Sequence, residues 1–489
     1  MITENLSPAP AFGLGCAVYA SILVISLAMM SHCAERPSDT PDDSIAAAWM
    51  KVDSILERIK RPVFPNADFS VSDYDAVGDG VQNDLNAFKK AIEECNAKGG
   101  GKVTVPLGRY FLKGPIHLKS NVHLSLAEGS VLLFSNDPQD YLPVVMTRWE
   151  GVECYNYSPL IYALDAENIA VTGKGTLDGQ ADSTHWWPWK GNRQDGWKEG
   201  MPSQLMPSSR DRLIAMNREQ TPLSERVFGA NGFLRPNFIQ PYRCKNVHIE
   251  GIRIVNSPMW VIHPVLCENV IVENVTVSSH GPNNDGCNPE SCKDVLIQNC
   301  DFDTGDDCIA LKSGRNQDGR RINRPTENVV IRNCRMKDGH GGVVIGSEVS
   351  GGCKNIFAED CQMDSPNLDR AIRVKTNRSR GGVIENLFFR NITVGKVKEA
   401  VVKVNMRYSL DDSISIAYPV IRNIIVDNVD SQESEYGVLI LGLDEEHQVG
   451  DVSITNCNFG NTEKGNRIEF GRDLHFANVT VNGEAWTFQ

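Results

Sequence analysis

One short apolar pattern recurs through the second half of this chain, and it restricts the fold more than any other feature. Val247-His-Ile-Glu-Gly-Ile252, Val270-Ile-Val-Glu-Asn-Val275, Val295-Leu-Ile-Gln-Asn-Cys300 and Val329-Val-Ile-Arg-Asn-Cys334 are near-copies of one another. The series continues at Ile356 to Cys361, Leu387 to Ile392, Ile424 to Val429 and Val452 to Cys457, with an earlier member at Ala170 to Asp178. Each unit is a short β-rich run, usually closed by Asn at a turn and then by a small or branched apolar residue. Repeats of about 23 to 37 residues, with no helical period between them, indicate a solenoid of strands. The leucine frame of a leucine-rich repeat is missing. The expected fold is all-β, a parallel β-helix.

That domain is expected to fill residues 66–489. A helix from about Asn83 to Ala97, stopped by Gly99-Gly100-Gly101, reads as a short N-terminal helical cap on the end of the solenoid. Residues 34–65 read as a linker and a helix. Ile45, Met50, Val52, Ile55, Leu56 and Ile59 have helical spacing there, and Pro62 and Pro65 end it. Residues 1–33 contain an uncharged run from Ala11 to Ser31 with Ile22, Leu23, Val24, Ile25 and Leu27 at its centre. This fits a signal peptide or a membrane or lipid anchor, with Cys33 as the lipidation candidate. Export to the periplasm, cell surface or exterior is expected, with any membrane attachment confined to the N-terminus.

An insert at about 179–244 interrupts the repeat and carries His185-Trp186-Trp187-Pro188-Trp189 and Trp197. Two readings stand: a self-packed loop with a small aromatic core, and a cleft wall whose aromatic faces stack on sugar rings. The net charge of −13 argues against a nucleic-acid partner, which needs a basic face. It decides little about an acidic substrate, because salt screens charges beyond about 10 Å. Of the 14 cysteines, Cys300, Cys334, Cys361 and Cys457 share one place in the repeat. They read as stacked buried thiols, with disulfides as the alternative, and no paired CxxC spacing supports zinc.

The chemistry is expected between Asp285 and Lys375. Asp285, Asp306 with Asp307, His340, and Arg373 with Lys375 follow one another at roughly one-coil intervals, and coils lie about 4.8 Å apart. They are expected to line one face, with Arg373 and Lys375 on the same side of a strand. Glycosidic hydrolysis needs a protonated carboxyl to assist the leaving oxygen and an ionised one to activate water or attack. Crowded carboxylates supply both forms at one pH. Arg373 and Lys375 would hold a substrate carboxylate, so an acidic sugar is the natural partner. Taken singly these motifs are weak: an Asp-Asp pair in a turn is more often solvated or a calcium ligand, and a lone Gly-His-Gly is usually structural.

Joined in this order, they resemble glycoside hydrolase family 28, the polygalacturonases, from about Phe69 to the C-terminus. The run from Asn333 to Met336 and on through Gly339-His340-Gly341-Gly342 to Ser347 is the most specific block. Asn284-Asp285, Gly305-Asp306-Asp307-Cys308 and Arg373-Val374-Lys375 match the others. The resemblance implies a right-handed parallel β-helix and inverting hydrolysis with no metal or other cofactor. It assigns Asp306 as general acid and Asp285 and Asp307 as the groups activating water. His340 would support the acid or the sugar, Arg373 and Lys375 would bind the galacturonate carboxylate, and Lys312 would be a further substrate contact. Asn284 stands where Thr is usual and Asn288 where a second Asp is common. The insert and Ser313 to Arg321 are similar to the exo-acting bacterial branch. The expected partner is an acidic plant polysaccharide, homogalacturonan or rhamnogalacturonan. The rivals are a pectate lyase with an Arg base and calcium, and a non-catalytic pectin-binding β-helix.

Overall fold

A computed structural model describes residues 41–410 and 414–488. The apolar run from Ala11 to Ser31 and Cys33 therefore lie outside the described residues. Among these residues no helix is long and apolar enough to cross a membrane.

The repeat units become coils of a right-handed parallel β-helix. Strands one coil apart pair in parallel and in register, joining Val247 to Val270, Val295, Val329, Ile356, Leu387, Ile424 and Val452 in one continuous row. Those residues point inward and are almost fully buried. A shorter second strand follows each turn, as Arg253–Val255 follows Lys245–Glu250. A separate six-stranded sheet forms a third face from Ile309–Leu311, Val343–Gly346, Arg370–Lys375, Ala400–Asn405, Tyr436–Leu441 and Arg467–Glu469.

The recurring Asn has a backbone reason. Asn274, Asn299, Asn333, Asn391, Asn428 and Asn456 adopt left-handed conformations with φ of 52–56°, which Asn tolerates better than other non-glycine residues. A second row precedes the same strands. Asn246, Asn269, Asn328, Asn355, Asn386 and Asn423 have φ of 55–59°, and their amides form a ladder between coils. Asn355 donates to Asn328 at 3.0 Å and accepts from Asn386 at 3.0 Å. Asn355→Ala is expected to cost about 2 kcal/mol in urea denaturation, since it forces Ala into the left-handed region and removes two partly buried amide bonds. Asn355→Gly should cost less, because only the bonds are lost.

Helix α1 (Pro41–Arg58) is more than part of a linker: from Ile45 onward the chain forms one compact unit with the solenoid. Ala48, Trp49, Val52, Ile55 and Ile59 pack on Ile271, Leu296, Val330, Phe357, Phe388 and Ile425. These six are the outward-facing middle residues of first-face strands on consecutive coils. Beyond the helix the same position is polar, His248 before it and Ser453 after it. Within α1, Met50 is 75 % exposed and Trp49 takes the inner place instead, with its ring 5.4 Å from Phe357 and beneath the Arg390 guanidinium at 3.8 Å. Helix α2 (Leu85–Ala97) does cap the stack, inserting Phe88, Ala91, Ile92 and Cys95 into the main core.

All described cysteines are buried and free, so the thiols fill the core as small apolar groups. The aromatic residues of the insert pack on one another: Trp186 and Trp189 meet edge to face, and Tyr141, Tyr157 and Phe233 complete the group. Trp186 is 3 % exposed, so this ring anchors the insert and offers no face to a ligand.

Candidate active site

The expected residues gather where the second-face turns enter the third sheet. Asp306 and Asp307 lie between strands Asp301–Thr304 and Ile309–Leu311, His340 in the turn before Val343–Gly346, and Arg373 and Lys375 on Arg370–Lys375. The turns stack closely: a Cβ on Gly339, whose φ is +149°, would lie 2.5 Å from the Asp306 carbonyl oxygen. Glycine before His340 is therefore a packing requirement.

A cavity of about 410 Å³ opens at this place. Asp285, Asp306, His340, Lys312 and Lys375 line it, whereas Asp307 and Arg373 do not. Asp307 is fully buried behind it, with Oδ1 3.2 Å from Arg373 Nη1 and Oδ2 2.6 Å from Lys375 Nζ. Residues 373 and 375 thus face one side of their strand as expected, and both are already paired with a carboxylate.

Of the carboxylates that line the cavity, Asp285 and Asp306 are pushed in opposite directions. Burial pushes Asp285 up to about 8, against the pull of Lys312, whose Nζ lies 3.4 Å from Oδ2. Burial also works on Asp306, but the hydrogen bond and charge of His340 outweigh it and hold Asp306 well below the usual range. The His340 Nδ1 to Asp306 Oδ1 distance is 2.8 Å, and that contact raises the imidazole to about 9. At neutral pH the cavity holds a neutral carboxyl at 285 and an imidazolium–carboxylate pair at 340 and 306.

The two departures at 284 and 288 have local explanations. Asn284 uses both ends of its amide: Oδ1 accepts from Ser279 and the Gly281 N–H, and Nδ2 donates to the Ser257 and Met259 carbonyls. Asn288 donates from Nδ2 to Asp285 Oδ2 at 3.0 Å. Asp at that position would place a second carboxylate against the buried Asp285.

Repeat spacing did not point to several further groups. Glu348, directly after the signature block, bonds Arg315 at 2.7 Å and Lys312 at 3.2 Å and lies 3.8 Å from Arg380. Trp260 lies under Lys312, its ring centroid 4.4 Å from Nζ, and Tyr408 faces Arg373 and Lys375 at 5.6 and 5.4 Å. The insert forms one wall, through Lys190, Gln204 and Arg210 rather than through its tryptophans. Lys190 donates to Asn283 Oδ1 at 2.8 Å, and Asn283 Nδ2 lies 3.5 Å from Asp306 Oδ2.

Comparison with known proteins places this geometry. The sequence model for glycosyl hydrolases family 28 matches residues 230–470, and one described as rhamnogalacturonase A/epimerase, pectate lyase-like, matches 69–125. A probable polygalacturonase of Vitis vinifera is 30% identical over 344 residues, 68% of this chain and 61% of that protein. An exo-poly-alpha-D-galacturonosidase of Dickeya chrysanthemi is 27% identical over 364 residues, 71% of this chain and 58% of that one. The chain thus spans about three fifths of the length of these two curated relatives. The crystal structure of a hyperthermoactive exopolygalacturonase from Thermotoga maritima superposes with a TM-score of 0.86 at 46% identity, covering 89% of this chain and 96% of that one. By that identity over nearly the whole of both chains, together with the family match across the site, this chain belongs to glycosyl hydrolases family 28.

Proposed function

We propose that the cavity hydrolyses α-1,4-galacturonosidic bonds of pectic galacturonan, with inversion, from a chain end. The observation that carries this reading is the convergence of Asp285, Asp306, His340 and Lys375 on one cavity. Its chemistry is that of acid- and base-assisted hydrolysis of an anionic sugar. The exo assignment rests on the insert wall that borders the cavity and on the likeness to the Thermotoga exopolygalacturonase. Such a polymer lies outside the cell, which agrees with export directed by the N-terminal run.

In this mechanism Asp306 protonates the leaving oxygen. Its proton comes from the short bond to His340 Nδ1, and a uronate carboxylate entering the cavity favours that transfer by adding negative charge beside Asp306. Asp285 activates the water in its ionised form, after its own proton has passed to solvent through the cavity, while Lys312 and Asn288 hold its oxygen in place. Asp307 acts on that water only through the Lys375 ammonium it fixes. One observation favours the exchanged roles, with Asp285 as acid and Asp306 as base: burial raises the Asp285 carboxyl, whereas His340 holds that of Asp306 down.

With Asp306 as acid, the productive form carries its proton on the His340–Asp306 pair and none on Asp285, so kcat/KM is expected to rise as pH passes about 8, where Asp285 ionises, and to fall above about 9, where His340 loses its proton. With the roles exchanged, kcat/KM falls as pH rises through about 8. A profile already falling below about pH 6 fits neither assignment. The reading itself is tested by the product profile on polygalacturonate and on rhamnogalacturonan, with and without chelator. Release of monomer alone from polygalacturonate, unaffected by chelator, is expected. Unsaturated products that depend on calcium would indicate a lyase, and binding without new reducing ends would indicate a non-catalytic β-helix.

A further inference from the structure

Each carboxylate facing the cavity already has a cation. Glu150 pairs with Arg315 at 3.1 Å, Glu348 with Arg315 and Lys312, Asp285 with Lys312, and Asp306 with His340. Lys375 is taken by Asp307, and Arg380 lies 3.8 Å from Glu348. Two cavity-lining cations remain, Lys190 and Arg210, and neither makes an ion pair among the described residues. Both come from the insert. Lys190 ends the turn Trp187–Lys190 that the aromatic group anchors, and Arg210 opens helix α3 (Arg210–Arg218).

Their surroundings hold them ready for an anion. Lys190 Nζ is fixed by Asn283 Oδ1, which also accepts from the buried Arg235. Arg210 Nε is buried with no hydrogen-bond partner among the described residues. Asp195 is within electrostatic reach of Lys190 but not in ion-pair contact with it. Burial disfavours the Lys190 charge most, Arg235 and Arg210 repel it, and Glu150 and Asp306 only partly offset this from a distance without an ion-pair contact. Two like charges left facing one cavity are costly until an anion arrives between them.

We propose that Lys190 and Arg210, on the insert wall, form a second carboxylate-binding point besides the cavity-lining Lys375, which reads the sugar next to the one held at the catalytic pair. This rests on the galacturonan reading above and sharpens it. A homogalacturonan carries a carboxylate on every sugar, whereas the rhamnogalacturonan backbone alternates acidic and neutral sugars. A site with two separate carboxylate readers one sugar apart selects the first polymer.

Binding is measured by calorimetry in an Asp306→Asn background, so it does not depend on turnover. Adding Lys190→Gln and Arg210→Gln together is expected to weaken trigalacturonate roughly ten- to hundred-fold, since charge-assisted contacts to a carboxylate are lost. An alternating rhamnose–galacturonate trisaccharide should lose less than about three-fold. Lys190→Arg, which keeps the charge, should retain trigalacturonate binding. No loss for trigalacturonate, or an equal loss for both saccharides, overturns the proposal. The single variant Arg210→Gln gives the same comparison if the double one melts early. Wild-type enzyme that binds trigalacturonate with the predicted dependence but never cleaves it would sink the hydrolase reading while leaving this one standing.

Discussion

Asp306→Asn is expected to leave the protein folded and to lower turnover of polygalacturonate by at least about 10² to 10⁴, the range that general acid catalysis alone supplies. The side chain faces an open cavity and sits outside the apolar core, so the melting temperature should change little. The variant also separates the two role assignments. A galacturonoside with an aryl leaving group needs little protonation, so the variant missing the acid recovers rate on it and the variant missing the base does not. Recovery in Asp306→Asn supports the roles proposed above. Recovery in Asp285→Asn instead would make Asp285 the acid and turn the His340–Asp306 pair into the water-activating group.

Glu348→Gln should have the largest effect on stability. Burial alone would raise this carboxyl, yet Lys312, Arg315 and Arg380 hold it well below its ordinary value. Removing its charge takes from Lys312, Arg315 and Arg380 the one carboxylate they share, and breaking a buried ion pair from one side costs about 3–5 kcal/mol. Chemical denaturation at neutral pH checks the size. The sign with pH follows from the lowered value: the stabilisation is complete above the ordinary carboxylate value of 4.5 and is lost as pH falls below it. The wild type should therefore approach the variant in acid. Parallel stability curves across that range would show that Glu348 is not the group responsible.

The fold was legible because one local requirement, a left-handed residue after a short buried strand, recurs from coil to coil and is met at a fixed place by Asn, or by Gly or Asp as at Gly251 and Asp360. The site was legible for the same reason: Asp285, Asp306, His340 and Arg373 each occupy the corresponding turn or strand of a successive coil, so spacing in sequence became proximity in space. What lacks the repeat was harder to read. The tryptophans of the insert fitted a self-packed aromatic core and a sugar-stacking wall equally, and nothing in their spacing chose between the two; they pack on one another, and the insert residues that line the cavity are Lys190, Gln204 and Arg210. The position of α1 was written in the strands rather than in the helix. Ile271, Leu296, Val330, Phe357, Phe388 and Ile425 are apolar where an uncovered strand carries a polar residue, and such a stripe calls for a cover.

That cover changes how the solenoid comes apart. A stack in which each coil touches only its neighbours frays from its ends, one coil at a time. Helix α1 bonds six coils at once and acts as a splint, so none of them can peel away without detaching the helix from the rest. Fraying from the C-terminal end is therefore expected to be gradual through the strands after Val449 and to halt at the coil carrying Ile425, beyond which the splinted block opens as one unit.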